Sequence, residues 1–190
     1  MSRLLIIGPP GAGKGTQAVK ISERLDIVAI STGDIFRANV KGGTPLGIEA
    51  SKYIDNGDFV PDSVTNNMVE DRLNQDDVAQ GFLLDGYPRT SAQVDALDAM
   101  LAGKGIALDA VLQLTADDDE LVARLLKRAE IEGRADDTEE VIRHRLGLYN
   151  EETRAVVERY EERGIVRKVD GLGAIDEVTE RVLAALNVNA

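Results

Sequence analysis

An α/β fold, with a five-stranded parallel sheet flanked by helices, is predicted by three features of this sequence. Short apolar runs without polar alternation recur along the chain, as strands buried on both faces require. Segments with helical apolar spacing separate them, and that alternation indicates a parallel sheet. The first apolar run leads directly into a glycine-rich stretch, a lysine and a helix, an arrangement suited to holding phosphate groups.

Arg3-Leu4-Leu5-Ile6-Ile7-Gly8 is the first expected strand. A helix follows from about Lys14 to Leu25, then a short second strand at Ile27-Val28-Ala29-Ile30. Ser31-Thr32-Gly33-Asp34 can cap the next helix, because short polar side chains accept from the orphan N–H groups of a first turn. Two short helices are expected around 34–40 and 46–55, split by the breakers Gly42-Gly43-Thr44-Pro45. Pro61-Asp62-Ser63 opens another helix to about Asn74, since proline suits a first helical turn. Phe82-Leu83-Leu84-Asp85 reads as the third strand and Ala110-Val111-Leu112-Gln113-Leu114 as the fourth, with a helix from about Asp118 to Ala129 after it. Beyond the polar stretch Glu130–Asp137, the residues Ile142, Leu146, Tyr149, Val156 and Tyr160 mark one face of a long amphipathic helix. Ile165–Val169 is the fifth strand and Ile175–Leu186 the closing helix. No internal repeat or low-complexity segment interrupts this order, so residues 1–190 read as one domain.

Composition narrows the function classes. Hydrophobic residues make up 43% and charged residues 29%, as in globular rather than disordered chains. There is no cysteine, which excludes disulfides and thiolate metal sites. The apolar runs are too short to span a bilayer, and no secretory signal pattern opens the chain, so the cytoplasm is the expected compartment. With 22 Lys and Arg against 34 Asp and Glu, the net charge is −12. Such a surface repels nucleic acid and anionic membranes, and phosphate ligands can be held only where cations gather locally.

The glycine-rich stretch is Gly8-Pro9-Pro10-Gly11-Ala12-Gly13-Lys14-Gly15-Thr16. Glycines let the backbone curl and bring its N–H groups close to phosphate oxygens. The helix N-terminus adds the positive end of a dipole, and Lys14 adds a full charge near the β and γ phosphates. The strict pattern places Ser or Thr directly after the lysine, whereas here Gly15 stands there and Thr16 follows. By itself the loop indicates nucleoside triphosphate binding and leaves kinase, switch and motor open.

The form GPPGAGKGTQ resembles the adenylate kinase family and its nucleoside monophosphate kinase relatives. Ser31-Thr32-Gly33-Asp34-Ile35-Phe36-Arg37 is similar to the family's acceptor-gripping segment, and Gly81–Thr90 with Gln93 to its most recognisable stretch. Gly133-Arg134-Ala135-Asp136-Asp137, followed by Arg145, resembles the lid edge and the helix after it. The resemblance covers the whole chain in order. It implies a P-loop NTPase fold with a small AMP-binding flap at 31–60 and a short lid at 128–138. It also implies reversible phosphoryl transfer from Mg·ATP to AMP giving two ADP, with Mg²⁺ as cofactor and ATP, AMP and ADP as partners. A monomer of nucleotide biosynthesis, without nucleic acid or membrane partners, is expected. Many bacterial relatives carry a longer lid, some with cysteine-bound zinc; the short stretch here resembles the short-lid members, and no zinc is expected. A kinase of the same fold acting on UMP, CMP or another acceptor, and a P-loop protein that binds ATP without turnover, remain as alternatives.

Candidate site residues follow from both readings. Gly11, Ala12, Gly13, Lys14, Gly15 and Thr16 are expected to hold ATP. Asp85 ends a buried strand beside the loop, where a carboxylate can orient a metal ion or its waters, and Thr16 can do the same. By resemblance the Asp85 contact runs through water. Arg37 and Arg89 fall on the carboxyl side of strands, where open α/β sheets bind ligands. Their guanidinium groups can hold phosphate bidentately, and the resemblance assigns both to the acceptor's α-phosphate. It likewise assigns Arg128 and Arg124 to ATP, Arg134 and Arg145 to AMP and the transferring group, and Gly173 to ATP. Lys14, Arg89, Arg128, Arg134 and Arg145 are thus the expected catalytic set. The Gln93 amide can donate to and accept from an adenine edge. Thr32, Gly86, Tyr87 and Pro88 join the expected AMP site by resemblance, as do Asp58, Phe59 and Val60 around the base. Pyrimidine-directed relatives usually show Asn after the Pro-Arg pair, whereas Thr90 stands here, which favours AMP. Arg143 has no motif support, and His144, the single histidine, is expected to face solvent.

Overall fold

The computed structural model of the chain describes residues 2–54, 60–133 and 138–186. Its strands are β1 (Ser2–Ile7), β2 (Val28–Ser31), β3 (Gly81–Asp85), β4 (Ala110–Thr115) and β5 (Val166–Asp170). The helices among the described residues are α1 (Lys14–Leu25), α2 (Thr32–Gly42), α3 (Pro45–Ile54), α4 (Asp62–Leu73), α5 (Ser91–Gly103), α6 (Asp118–Glu132), α7 (Glu139–Glu161) and α8 (Ile175–Leu186). The strands form one parallel sheet in the order β2-β3-β1-β4-β5. β1 is therefore central, with Leu5 in register with Leu84 on one side and Val111 on the other. No described helix is long and apolar enough to cross a membrane.

Successive strand side chains point to opposite faces, so the unalternating apolar runs supply two cores. On one face Leu5, Ile7, Leu84 and Val111 meet Val94, Leu97 and Leu101 of α5 and Val156 and Tyr160 of α7. On the other, Leu4, Ile6, Leu83 and Leu112 meet Ile21 of α1, Leu125 of α6, and Val178 and Val182 of α8. Each such buried aliphatic side chain contributes about 1.5–3 kcal/mol relative to exposure. This burial from both sides fixes the carboxyl edge of the sheet, where the loops after β1 and β3 emerge.

The expected strands and most expected helices are present. α5 was not among them, because alanines and polar residues blur its apolar stripe. Its signals are local: Thr90 Oγ1 caps the helix by accepting from the Gln93 N–H at 3.2 Å, and Val94, Leu97 and Leu101 are buried at three-four spacing. α6 carries Arg128 and continues to Glu132 rather than ending near Ala129, and Gly133 closes it in the left-handed region at φ 66°. In α7, Ile142, Leu146, Val156 and Tyr160 are buried and Tyr149 is partly so, while His144 is exposed.

Two tertiary ties hold the site's elements together. Gln17, fully buried in the second turn of α1, donates through Nε2 to the Ile175 carbonyl at 3.0 Å and accepts from Thr179 Oγ1 at 2.7 Å. That pins the start of α8 against the start of α1. α2 and α3 pack against each other with no room for a side chain at Gly47, where a Cβ would come 2.1 Å from the Asn39 carbonyl oxygen. Gly47→Ala forces these backbones apart, and overpacking of this kind costs about 1–3 kcal/mol. The expected result is a melting temperature lowered by roughly 2–12 °C, at about 2–4 °C per kcal/mol for a chain of this size, read by circular dichroism. An unchanged melting curve would show that the two helices can separate freely.

Candidate active site

The loop between β1 and α1 is shaped by positive φ angles. Gly11 and Gly13 sit at φ 85° and 80°, where a side chain would be strained, and a Cβ on Gly11 would press on Leu125 at 3.0 Å. Gly13 occupies the N-cap of α1, so no side chain accepts from the first-turn N–H groups, and that turn holds no acidic residue. Uncapped N–H groups at a helix start are open to an anion. Ala12 is buried within the loop, while Gly15 and Thr16 are exposed on the first turn.

Lys14 Nζ lies 2.6 Å from Asp85 Oδ1, at the end of the neighbouring strand β3. Asp85 is buried, and no hydrogen-bond donor is aligned on that oxygen, so the contact is an ion pair. The register that places Ser31 beside Asp85 also brings the start of α2 to this edge. There Thr32, buried, donates from Oγ1 to the Gly86 carbonyl at 3.2 Å. Gly86 turns the chain at φ 89°, and a Cβ there would meet Thr32 Oγ1 at 2.8 Å.

A cavity of about 670 Å³ opens above this edge. It gathers Gly11, Gly13, Lys14, Gly15 and Thr16 from the loop, Gly86, Tyr87, Pro88 and Arg89 from the turn after β3, Arg124 and Arg128 from α6, and Arg145 from α7. Arg89 donates from Nε to the Gly86 carbonyl at 3.0 Å. Arg89 keeps an exposed side, yet the nearby protein walls lower its pKa, against the opposing pull of Asp85 and Glu152. Arg124 Nη1 reaches the Gly11 carbonyl at 3.5 Å. Tyr87 is buried and donates to Asn66 Oδ1 at 2.7 Å; burial pushes its hydroxyl well above the usual range.

Other expected residues stand apart from the cavity lining. Arg37 is exposed on α2 and paired with Asp34. Val60 is half-buried and packs against the core that contains Phe36 and Met68. Gly173, at φ 113°, lies in the turn after β5, which Arg181 holds through the Leu172 carbonyl at 2.5 Å. Gln93 is buried rather than an exposed helix residue: Oε1 accepts from the Arg89 N–H at 2.7 Å and Nε2 donates to Asp62 Oδ1 at 2.8 Å. Arg143 pairs with Asp119 and Glu139 on the surface, as its lack of motif support suggested. Asp58, Phe59 and Arg134 lie outside the described residues. The sequence reading missed Leu148, Tyr149, Glu152 and Thr153, which complete the cavity wall from α7. Their signal was positional, since residues four and seven beyond Arg145 share its helix face.

A glycine loop at the carboxyl edge of a parallel sheet, ringed by a lysine and arginines, defines a nucleotide-phosphate-binding protein of the P-loop fold. The family model described as "Adenylate kinase" matches residues 6–165. An adenylate kinase of Pseudarthrobacter chlorophenolicus is 72% identical over 186 residues, covering 98% of this chain and 97% of its own. Others from Renibacterium salmoninarum and Thermobifida fusca are 70% and 55% identical, covering 97% and 100% of their own lengths. The chain belongs to the adenylate kinase family.

Gln93→Leu removes two anchors at once and leaves the Asp62 carboxylate and the Arg89 N–H without them. Unpaired buried polar groups cost about 1–3 kcal/mol, so thermal unfolding should fall by several degrees. An unaltered melting temperature would mean that these two bonds do not hold the turn.

Proposed function

We propose that the chain catalyses reversible phosphoryl transfer between ATP and AMP, giving two ADP. The observation that carries this reading is one cavity in which Lys14 and the glycine loop face Arg89, Arg124, Arg128 and Arg145. A site for ATP alone needs the loop; the added arginines on the acceptor side suit a second phosphate-bearing substrate. The adenylate kinases of 72% and 70% identity support the same reading.

In this mechanism the N–H groups of Gly13, Lys14 and Gly15 cradle the donor's phosphates. Lys14 leaves Asp85 and follows the moving group, while Arg124 and Arg128 neutralise donor charge. Arg37 and Arg89 grip the acceptor's phosphate, and Arg145, with Arg134, bridges the two. At an effective dielectric near 20, one charge pair 4 Å apart is worth about 4 kcal/mol. Several such pairs outweigh the repulsion between two anionic nucleotides and stabilise a loose phosphoryl transition state. The attacking phosphate oxygen is already ionised near neutral pH, so no general base is needed. Gln93 keeps one N–H and one lone pair for an adenine edge after its two internal bonds.

Mg²⁺ accompanies ATP in such chemistry and would neutralise charge on the phosphate oxygens. The donor set fits it: Asp85 offers a buried carboxylate, released as Lys14 turns to the phosphates, and the exposed Thr16 hydroxyl stands on the first turn of α1. A hard cation takes such oxygens, directly or through water. Residues 31–60 would close over AMP and 128–138 over ATP, keeping water from the transferring group. The glycine joints at Gly43 and Gly133 suit that motion, both left-handed at helix ends. A monomer in the cytoplasm is the form we assign.

Two measurements test the reading. A coupled ADP-formation assay with AMP, UMP, CMP and GMP should give turnover with AMP far above the others. Comparable rates with UMP or CMP would transfer the assignment to a pyrimidine-directed kinase. Lys14→Met should fold normally yet lose turnover by roughly two to three orders of magnitude or more, as when a preorganised transition-state donor is removed. Near-normal turnover in the folded variant overturns the role of the loop.

A further inference from the structure

The turn after β5 stands beside the phosphate loop. Gly171 is buried there, and its N–H donates to the Thr115 carbonyl at the end of β4 at 2.7 Å. A Cβ on Gly171 would come 3.5 Å from the Ala12 carbonyl, which puts the turn against the loop. Asp170 Oδ1 accepts from the Leu172 N–H at 2.9 Å and closes the turn from within.

α8 holds the outer side of this turn. Arg181, in the second turn of that helix, donates from Nη1 to the Asp170 carbonyl at 3.1 Å and to the Leu172 carbonyl at 2.5 Å. Its ion pair with Glu177 is looser, at 3.7 Å. Both side chains reach Gly173, where an added Cβ would meet Glu177 Oε2 at 3.1 Å and Arg181 Nη2 at 3.3 Å. The start of α8 is itself pinned to α1 by Gln17. The phosphate loop, α1, α8 and the turn therefore form a closed ring of contacts, in which Arg181 is an exposed link.

We propose that Arg181 is a positioning residue for the donor nucleotide. It holds residues 170–173 against the phosphate loop, so that the backbone at Gly173 is in place before the donor arrives. The inference rests on the reading of Gly173 as a contact for ATP. A glycine offers a ligand only backbone groups, and these bind well only where the chain that carries them is already ordered.

The test is steady-state kinetics on the full chain, with the KM for ATP and the KM for AMP measured separately. The variants are Arg181→Met, Arg181→Lys and Gly173→Ala. Arg181→Met keeps an unbranched stem and loses both bonds. Its KM for ATP should rise about tenfold, with kcat and the KM for AMP within twofold of wild type. A loss of stability alone would not move one KM and spare the other. Both bonds leave from a single nitrogen, so the ammonium of Arg181→Lys can replace them and should recover most of the loss. Gly173→Ala strains a φ of 113° and should also raise the KM for ATP. If Gly173→Ala raises it and Arg181→Met does not, the turn serves ATP and the positioning role is overturned. If neither variant moves it, the reading of Gly173 fails and the inference falls with it. Equal rises in both KM values, or no recovery in Arg181→Lys, would show a general structural effect and also overturn the role.

Discussion

The first backbone N–H groups of α1 have no side chain accepting from them, and the site is arranged around that shortage. A Ser or Asp at the cap would have used those donors and strengthened the helix by about a few tenths of a kcal/mol. Gly13 instead leaves them free for a ligand. The stability forgone is offset elsewhere, because β1 is central in the sheet and its Leu4, Leu5 and Ile6 are buried on both faces. A loop with weak internal bonding can hold its shape when both ends are fixed this firmly.

The acidic surface sharpens the same economy of charge. At the surface, Arg72, Arg143, Arg159 and Arg163 pair with Asp77, Asp119, Asp95 and Asp98. Lys14, Arg124, Arg128 and Arg145 are instead drawn to one cavity, from three different helices. With a net charge of −12, that concentration makes the cavity the place where phosphate is welcome.

The fold was legible wherever burial imposed a pattern. Strands sandwiched between helix layers read as unbroken apolar runs, and β1, β3 and β4 stand where those runs lie. α5 escaped because its stripe is diluted by alanine and its cap is a single Thr–Gln relation. Residues on the phosphate loop could be placed from spacing alone, since loop chemistry is local. The α7 wall could not be, because whether Tyr149 and Glu152 face a cavity depends on how a helix lies across a distant strand. Gln93 shows the same limit: its chemistry was readable, but its bonds to Asp62 and the Arg89 backbone join parts brought together only by folding.

The bond between Gln17 and the start of α8 also bears on how the chain matures during synthesis. The phosphate loop is made early, yet its helix is braced by Ile175 and Thr179, some 160 residues later. Domains gain their tertiary contacts only as the partners emerge. The nascent chain therefore carries a complete loop sequence long before it carries the α8 residues that brace Gln17 in the folded chain.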